Sequence, residues 1–470
     1  MRSRISAAIT LWLAAAGAHA QSVPGIPGMD FGGFGAPAGG TGPGYVDLDA
    51  GLAYIDNARL SSTHRSQDEI ALAGIDANYD NEGGLLNIRA RGAVDWIHYW
   101  HHSLPSAPYG ALDANAIWGR PTGPFQWLGQ ETFSESLANP LAAPTLANLE
   151  YVNHLTTGPA VTVHLGSVDR LTVHALYANT TYQRSRYGSN TYDGGAALSH
   201  EFNRATSVAL AADEARTEFA THGIAPAYDS RNASISFHGR SERTSLTASA
   251  GYSELNFAGV YEGDPTFALN LSHELTPFNT VYINGRSGFS TAGQAAGANF
   301  GAPLGAVALA GLVPGTSSPA PFKDQLASAG WTFQRARTTF TLTGSYGRQR
   351  YIPLPAGYAL VQTSTIYSRL TNKAFSAMLS RQLRPTVTVS LNAYRTIKQV
   401  DTVHASTTES VYRLAATQQF AHARIMLYVQ RMQQSASGAY VGLSAGTFTA
   451  NMIGLMFSYD LFGQRSTLAR

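Results

Sequence analysis

Residues 234–257 read SISFHGRSERTSLTASAGYSELNF, and the fold follows from this stretch. Ile235 and Phe237 alternate with Ser234, Ser236 and His238. The polar turn Arg240-Ser241-Glu242-Arg243 follows. Leu246, Ala248, Ala250 and Tyr252 then alternate with Ser245, Thr247, Ser249 and Gly251. A period of two places the two sets on opposite faces of a strand. One face is apolar, thin in Leu and Ile, and capped by an aromatic. The other is hydroxyl and glycine, polar yet almost uncharged. A soluble sheet would bury its apolar face in a core. This pairing of faces instead suits a wall between lipid and a wet lumen.

The unit recurs. Val46, Leu48, Ala50 and Leu52 alternate with Asp47, Asp49 and Gly51; Leu171, Val173, Ala175 and Tyr177 follow the turn 166–169; Leu455, Phe457, Tyr459 and Leu461 end the series. Short turns such as FNRAT (202–206), LTPFNT (275–280), LRPT (383–386) and FAHAR (420–424) alternate with longer Gly/Ala/Pro/Ser-rich loops. Short turns on one side and long loops on the other are the asymmetry of bacterial outer-membrane barrels. The expectation is an all-β, transmembrane, antiparallel up-and-down barrel of about 18 strands, with 16 as the alternative count because 68–79 and 363–372 alternate poorly. An even count leaves both termini in the periplasm. A seven-residue outward face rises roughly 23 Å, matching an apolar band of about 25 Å.

Charged residues make up 13% of the 470 residues, well below a soluble domain's share of about 25%. The formal net charge of +2 gives no reason to expect nucleic acid as a partner. There is no Cys, so no disulfide framework and no lipoprotein anchor is expected. Arg2 and Arg4, the apolar run 5–16 and Ala18-His19-Ala20 read as a cleavable signal peptide over 1–20. Residues 21–44 are Gly/Pro-rich and read as a disordered linker. The barrel is expected over 45–462, closed by GLMFSYDLF (454–462), with a short tail at 463–470.

The repeated turn with Arg, then Thr/Ser, then an aliphatic-hydroxyl strand ending in Tyr resembles a family of β-barrel porins found with exopolysaccharide and exosortase gene clusters. GPAVTVHLGSVDRLTVHALYANTTYQ (158–183) and FHGRSERTSLTASAGYSELNF (237–257) carry most of the resemblance. It implies an outer-membrane barrel tied to surface polysaccharide, with export components of the envelope as partners. It supplies no catalytic residues, and neither cofactor nor metal.

The lumen-lining candidates follow from alternation alone. They are Arg89 and Arg91, then Thr339, Thr341, Thr343 and Ser345, then Thr388, Ser390, Asn392 and Tyr394. Hydroxyls, amides and an aromatic ring suit sugars, and equally suit water. Further inward charges are expected at His164, His174, Glu201, Asp213, Glu274, Arg286, Arg369 and Lys373, of both signs, joined in a cross-barrel network. The cluster Asp95-Trp96-Ile97-His98-Tyr99-Trp100-His101-His102 reads either as a rim metal or catalytic site or as an interfacial aromatic girdle. Two long loops are expected outside the cell, 103–145 with its aromatics and the nearly uncharged 290–322. The function classes that remain are a porin-like channel, a non-conducting docking barrel, and a rim enzyme.

Overall fold

In the computed structural model, the described residues are 44–81, 83–120, 123–137, 145, 148–290, 320–353, 368–438 and 446–462. The signal-peptide, linker and C-terminal tail expectations lie outside them, as does most of the loop 290–322.

Twenty antiparallel strands form one sheet in which each strand pairs with its neighbours in the chain. They are β1 (Gly44–Ile55), β2 (Asp68–Asn81), β3 (Leu86–Tyr99), β4 (Ala107–Trp118), β5 (Phe125–Leu137), β6 (Leu149–His164), β7 (Asp169–Tyr182), β8 (Ser189–Asn203), β9 (Thr206–Phe219) and β10 (Tyr228–Arg240). The second half holds β11 (Thr244–Phe257), β12 (Val260–Thr276), β13 (Asn279–Ser290), β14 (Phe322–Arg335), β15 (Thr338–Tyr351), β16 (Arg369–Arg384), β17 (Val387–Val400), β18 (Ala405–Gln419), β19 (Ala423–Ser437) and β20 (Phe448–Asp460). β20 returns to β1 in the register Leu52↔Leu455 and Asp47↔Asp460, which closes the barrel. Closure leaves no sheet edge, so the backbone groups are satisfied without water.

The faces alternate as the pattern demands. Leu52 is 62% exposed while Asp49 on the other face is 6% exposed. Leu210, Ile235, Phe267, Leu391, Leu427 and Leu455 are likewise exposed around the outside. An apolar surface that encircles the molecule far exceeds the few hundred Å² a soluble monomer shows, so lipid is its solvent. The connections at the end holding the chain termini are two to six residues long, from 82–85 round to 420–422. Those at the far end reach 12 residues at 56–67 and 31 at 291–321. Three far-end connections are also short, 183–188, 401–404 and the two-residue Ala258-Gly259, whose φ values of 53° and 82° make a double left-handed turn.

The strand count corrects the expectation of 18. The stretch 103–145 is not one loop: it contains β4 and β5. The outward face of β4 is Pro108, Gly110, Leu112, Ala114, Ala116 and Trp118, too small in side-chain volume to show as hydrophobic alternation. The hairpin tip 119–124 therefore lies at the end of the chain termini, opposite to the side assigned from sequence. Trp118, Phe125 and Trp127 flank it as exposed aromatics, a girdle at that membrane surface. The poorly alternating stretch 68–79 is strand β2.

Candidate functional site: the inner wall

Two sectors of the inward face stand out. The first is a wall of hydroxyls and amides on β15–β17. Thr339, Ser380 and Ser390 stand in one row, Thr341, Met378 and Asn392 in the next, and Thr343, Ser376 and Tyr394 in the third. Phe340, Leu342, Val389 and Leu391 hold the opposite, outward face. Ser345, one step further along β15, and Thr388, at the start of β17, share the inward parity. Tyr282 extends the wall onto β13 through a 2.6 Å hydrogen bond to Thr343. Arg89 and Arg91 fall on the inward face of β3, where Arg89 pairs with Asp80 at 3.4 Å.

Inward charges are matched between adjacent strands. His174 Nε2 lies 2.8 Å from Asp193 and 3.9 Å from Asp213, and Asn232 donates to Asp213 at 3.4 Å. Arg170 pairs with Glu201, and Arg286 with Asp324 at 2.9 Å. Among the described residues these links run along the wall, in place of the cross-barrel network expected. The reason is geometric. Neighbouring strands are about 4.8 Å apart, so a partner on the next strand is within reach of almost any charged side chain. Arg369 and Lys373 are a further correction. Both share the outward parity of Phe375 and Leu379, so they face away from the lumen.

The second sector is the closure seam, β18–β20 and β1–β3, and sequence reading missed it. Asp47 stands directly between Asp76 on β2 and Asp460 on β20. Asp49 lies opposite Gly74 and Ser458, and Asp95 lies opposite Gly74 from the other side. The Asp95 carboxylate covers Gly74 so closely that a Cβ there would come within 1.9 Å of Oδ1. Ser458 donates to Asp47 and Tyr45 to Asp76, each at 3.3 Å. All five aspartates are buried. Towards the far end the same sector turns apolar, with Ile97, Tyr99, Met432 and Ala450 inward and buried. Arg413 lies over the Tyr428 ring, 4.5 Å from its centroid. The alternation of Asp47 and Asp49 with Val46 and Leu48 was visible in the sequence. That Asp460 joins them was not, because barrel closure brings it there.

The His-rich segment does not converge. Asp95 points inward and His98 outward. His98 Nδ1 shares a hydrogen bond with Ser106 at 2.9 Å, and its ring meets Trp100 edge-on at 5.5 Å. A pair on opposite faces of one strand cannot share a substrate or a metal. Among the described residues no group of three His, Asp or Glu is placed to hold a metal ion.

No protein-family model matches the chain, and no curated protein matches it. Solved structures to which the chain is similar include the siderophore receptor PirA from Pseudomonas aeruginosa, at 13% identity and a TM-score of 0.39, covering 88% of this chain and 80% of that one. PirA from Acinetobacter baumannii is similar at 9% identity and a TM-score of 0.46, over 90% and 81% of the two chains. The FrpB iron transporter from Neisseria meningitidis is similar at 8% identity and a TM-score of 0.46, over 88% and 81%. These are likenesses of barrel architecture and say nothing about a ligand.

Proposed function

We propose that the chain is an outer-membrane channel of the porin type that passes small, polar, hydroxyl-rich solutes. The carrying observation is the inward wall on β15–β17, where Thr341, Thr343, Ser390, Asn392 and Tyr394 stand in consecutive rows. Each hydroxyl and amide both donates and accepts, so the wall can exchange hydrogen bonds with a sugar without binding it tightly. Tyr394 adds a ring face. Surface polysaccharide or its fragments are the solute class that the sequence resemblance implies, and this wall chemistry is compatible with it. Outer-membrane placement follows from the lipid-facing belt and the turn asymmetry.

The test is solute flux. Purified protein in liposomes should admit oligosaccharides in a swelling assay. Replacing Thr341, Ser390 and Asn392 together by Leu should slow sugar entry while the barrel stays folded. Swelling no faster than protein-free liposomes would sink the proposal.

A second reading is favoured by a different observation. Inward-facing Ile97, Tyr99 and Met432 are almost wholly buried, so the seam sector is not a water-lined surface. A barrel filled on that side would serve as a non-conducting dock for envelope export components. Planar-bilayer conductance separates the two readings.

A further inference from the structure

Four outward-facing cations on β15–β19 follow a diagonal. Lys373 stands opposite Tyr346 and Ile397, so Arg348 and Arg395 are its diagonal neighbours on the two flanking strands. Arg395 stands opposite Ser410, and Arg431 opposite Tyr412, two residues on. The steps are two residues from Arg348 to Lys373, two from Lys373 to Arg395, and two more across β18 to Arg431. Six residues over four strands average 1.5 per strand. A strand tilted by about 45°, with roughly 4.8 Å between strands and 3.3 Å per residue, shifts by the same amount at constant membrane depth. The diagonal in sequence register is therefore a horizontal row in the membrane.

Its depth is set by its neighbours. Two residues nearer the chain-terminus end on the same outward faces stand Tyr346, Phe375, Ala393 and Val429. The row thus lies directly above the apolar belt, at headgroup level in the leaflet on the long-loop side. Beneath Arg431 the outer face is hollowed into a groove of about 520 Å³ lined by Leu391, Tyr412, Leu414, Val429 and Ile453, with Asp56 held by Asn451 at 2.7 Å on its edge.

On this side Arg350 pairs with Glu262 at 3.2 Å and Arg369 lies 4.0 Å from Asp401, but the four cations of the row stand without acids. Elsewhere on the outer face, Arg216 pairs with Glu218 at 2.8 Å and Asp229 at 3.4 Å, and Arg231 pairs with Glu214 at 3.0 Å. Among the described residues no carboxylate forms an ion pair with Arg348, Lys373, Arg395 or Arg431. Four unmatched cations at one depth, over an apolar groove, are complementary to an anionic headgroup carried on acyl chains.

We propose that β15–β20 dock a phosphate-bearing lipid of the surrounding leaflet, with its phosphates on Arg348, Lys373, Arg395 and Arg431 and an acyl chain in the groove. The site is separate from the lumen, so its failure would leave the channel proposal untouched.

The test is native mass spectrometry of the detergent-purified full chain. The probes are a hexa-acylated, bis-phosphorylated glucosamine disaccharide, the same lipid without phosphates, and inorganic phosphate. The unmodified protein should retain the phosphorylated lipid at least about tenfold more strongly than the dephosphorylated one. The triple variant R348Q/K373Q/R395Q should lose roughly fivefold per cation, about a hundredfold in all. The variant R216Q/R231Q should bind as the unmodified protein does. Equal retention of both lipids overturns the proposal. So does an equal loss in R216Q/R231Q, or binding of inorganic phosphate with no preference for the lipid. The two-lipid comparison needs no substitution, so it decides even where the triple variant does not fold.

Discussion

The Tyr282 hydroxyl on β13 reaches across the whole of β14 to lie 2.6 Å from Thr343 Oγ1 on β15. It can do so because the residue between them is Gly330, paired with Tyr282 on one side and Thr343 on the other. A Cβ on Gly330 would fall 2.2 Å from Tyr282 Cζ. The ring therefore lies flat on the glycine and ties three strands together from the inside. The same device recurs at the seam, where Tyr428 covers Gly454.

Gly330→Ala should lift the Tyr282 ring and destabilise the barrel by about 1–3 kcal/mol, the usual cost of overpacking. Tyr282→Phe keeps the ring and should cost about 1 kcal/mol, the worth of one hydrogen bond. Gly194→Ala is the control, since its nearest neighbour, His174 O, would be an ordinary 3.9 Å away. Urea unfolding of the lipid-reconstituted protein reads all three. Equal effects at Gly330 and Gly194 would refute the packing account.

Leu342 faces lipid and Thr341 faces inward on the same strand. Leu342→Arg should destabilise by roughly 2–4 kcal/mol if it sits near the midplane, and Thr341→Arg by much less. The same unfolding measurement distinguishes them. Equal costs would mean that the outer face does not meet hydrocarbon.

The turn at Ser241 belongs to the end of the chain termini, and the exposed loop residue His222 to the other. The chain has no Cys, so single cysteines can be placed cleanly. In intact cells an impermeant maleimide should label His222→Cys and leave Ser241→Cys unlabelled. The reverse pattern would invert the orientation.

Asp68, the first residue of β2, lies beyond the Trp100 girdle at the long-loop rim. It accepts from the backbone N–H of His101 at 2.9 Å and of Ser103 at 3.0 Å. Burial alone would raise its carboxyl. The hydrogen bonds from Ser103, His101 and Glu69 outweigh burial and hold it below the ordinary aspartate value. A folded value below the unfolded one of about 3.9 means that the contact stabilises fully above that pH and is lost as pH falls through the folded value. Amide exchange at His101 and Ser103 should thus stay slow above about pH 4 and quicken below it. Asp68→Asn should exchange fast throughout and show no pH step; a step retained in that variant would assign it to another group.

The membrane barrel was legible because one-dimensional alternation reports directly on two-sided solvation. Hydroxyl-rich β15 and β17 alternate strongly with Leu342 and Leu391, so their faces could be assigned without coordinates. β4 and β5 could not be seen, because an outward face of Ala, Gly and Pro carries almost no hydrophobic amplitude. Their aromatics, Trp118, Phe125 and Trp127, drew attention to the stretch but suggested an apolar loop in place of a girdle. Parity failed at Arg369 and Lys373 for a related reason. Near a strand end, polar residues occupy both faces, and composition no longer marks the inside.

By itself, the sequence determined the fold class, the asymmetry of turns and loops, and the alternation of faces along β15 and β17, since each depends on neighbours along one strand or hairpin. Tertiary structure alone decided the rest. Closure set Asp47 between Asp76 and Asp460, residues hundreds of positions apart. Strand tilt brought Arg348, Lys373, Arg395 and Arg431 to one depth, although nothing in their spacing announces a row. Register and shear are properties of the whole sheet, and no local pattern of side chains specifies where its two ends will meet.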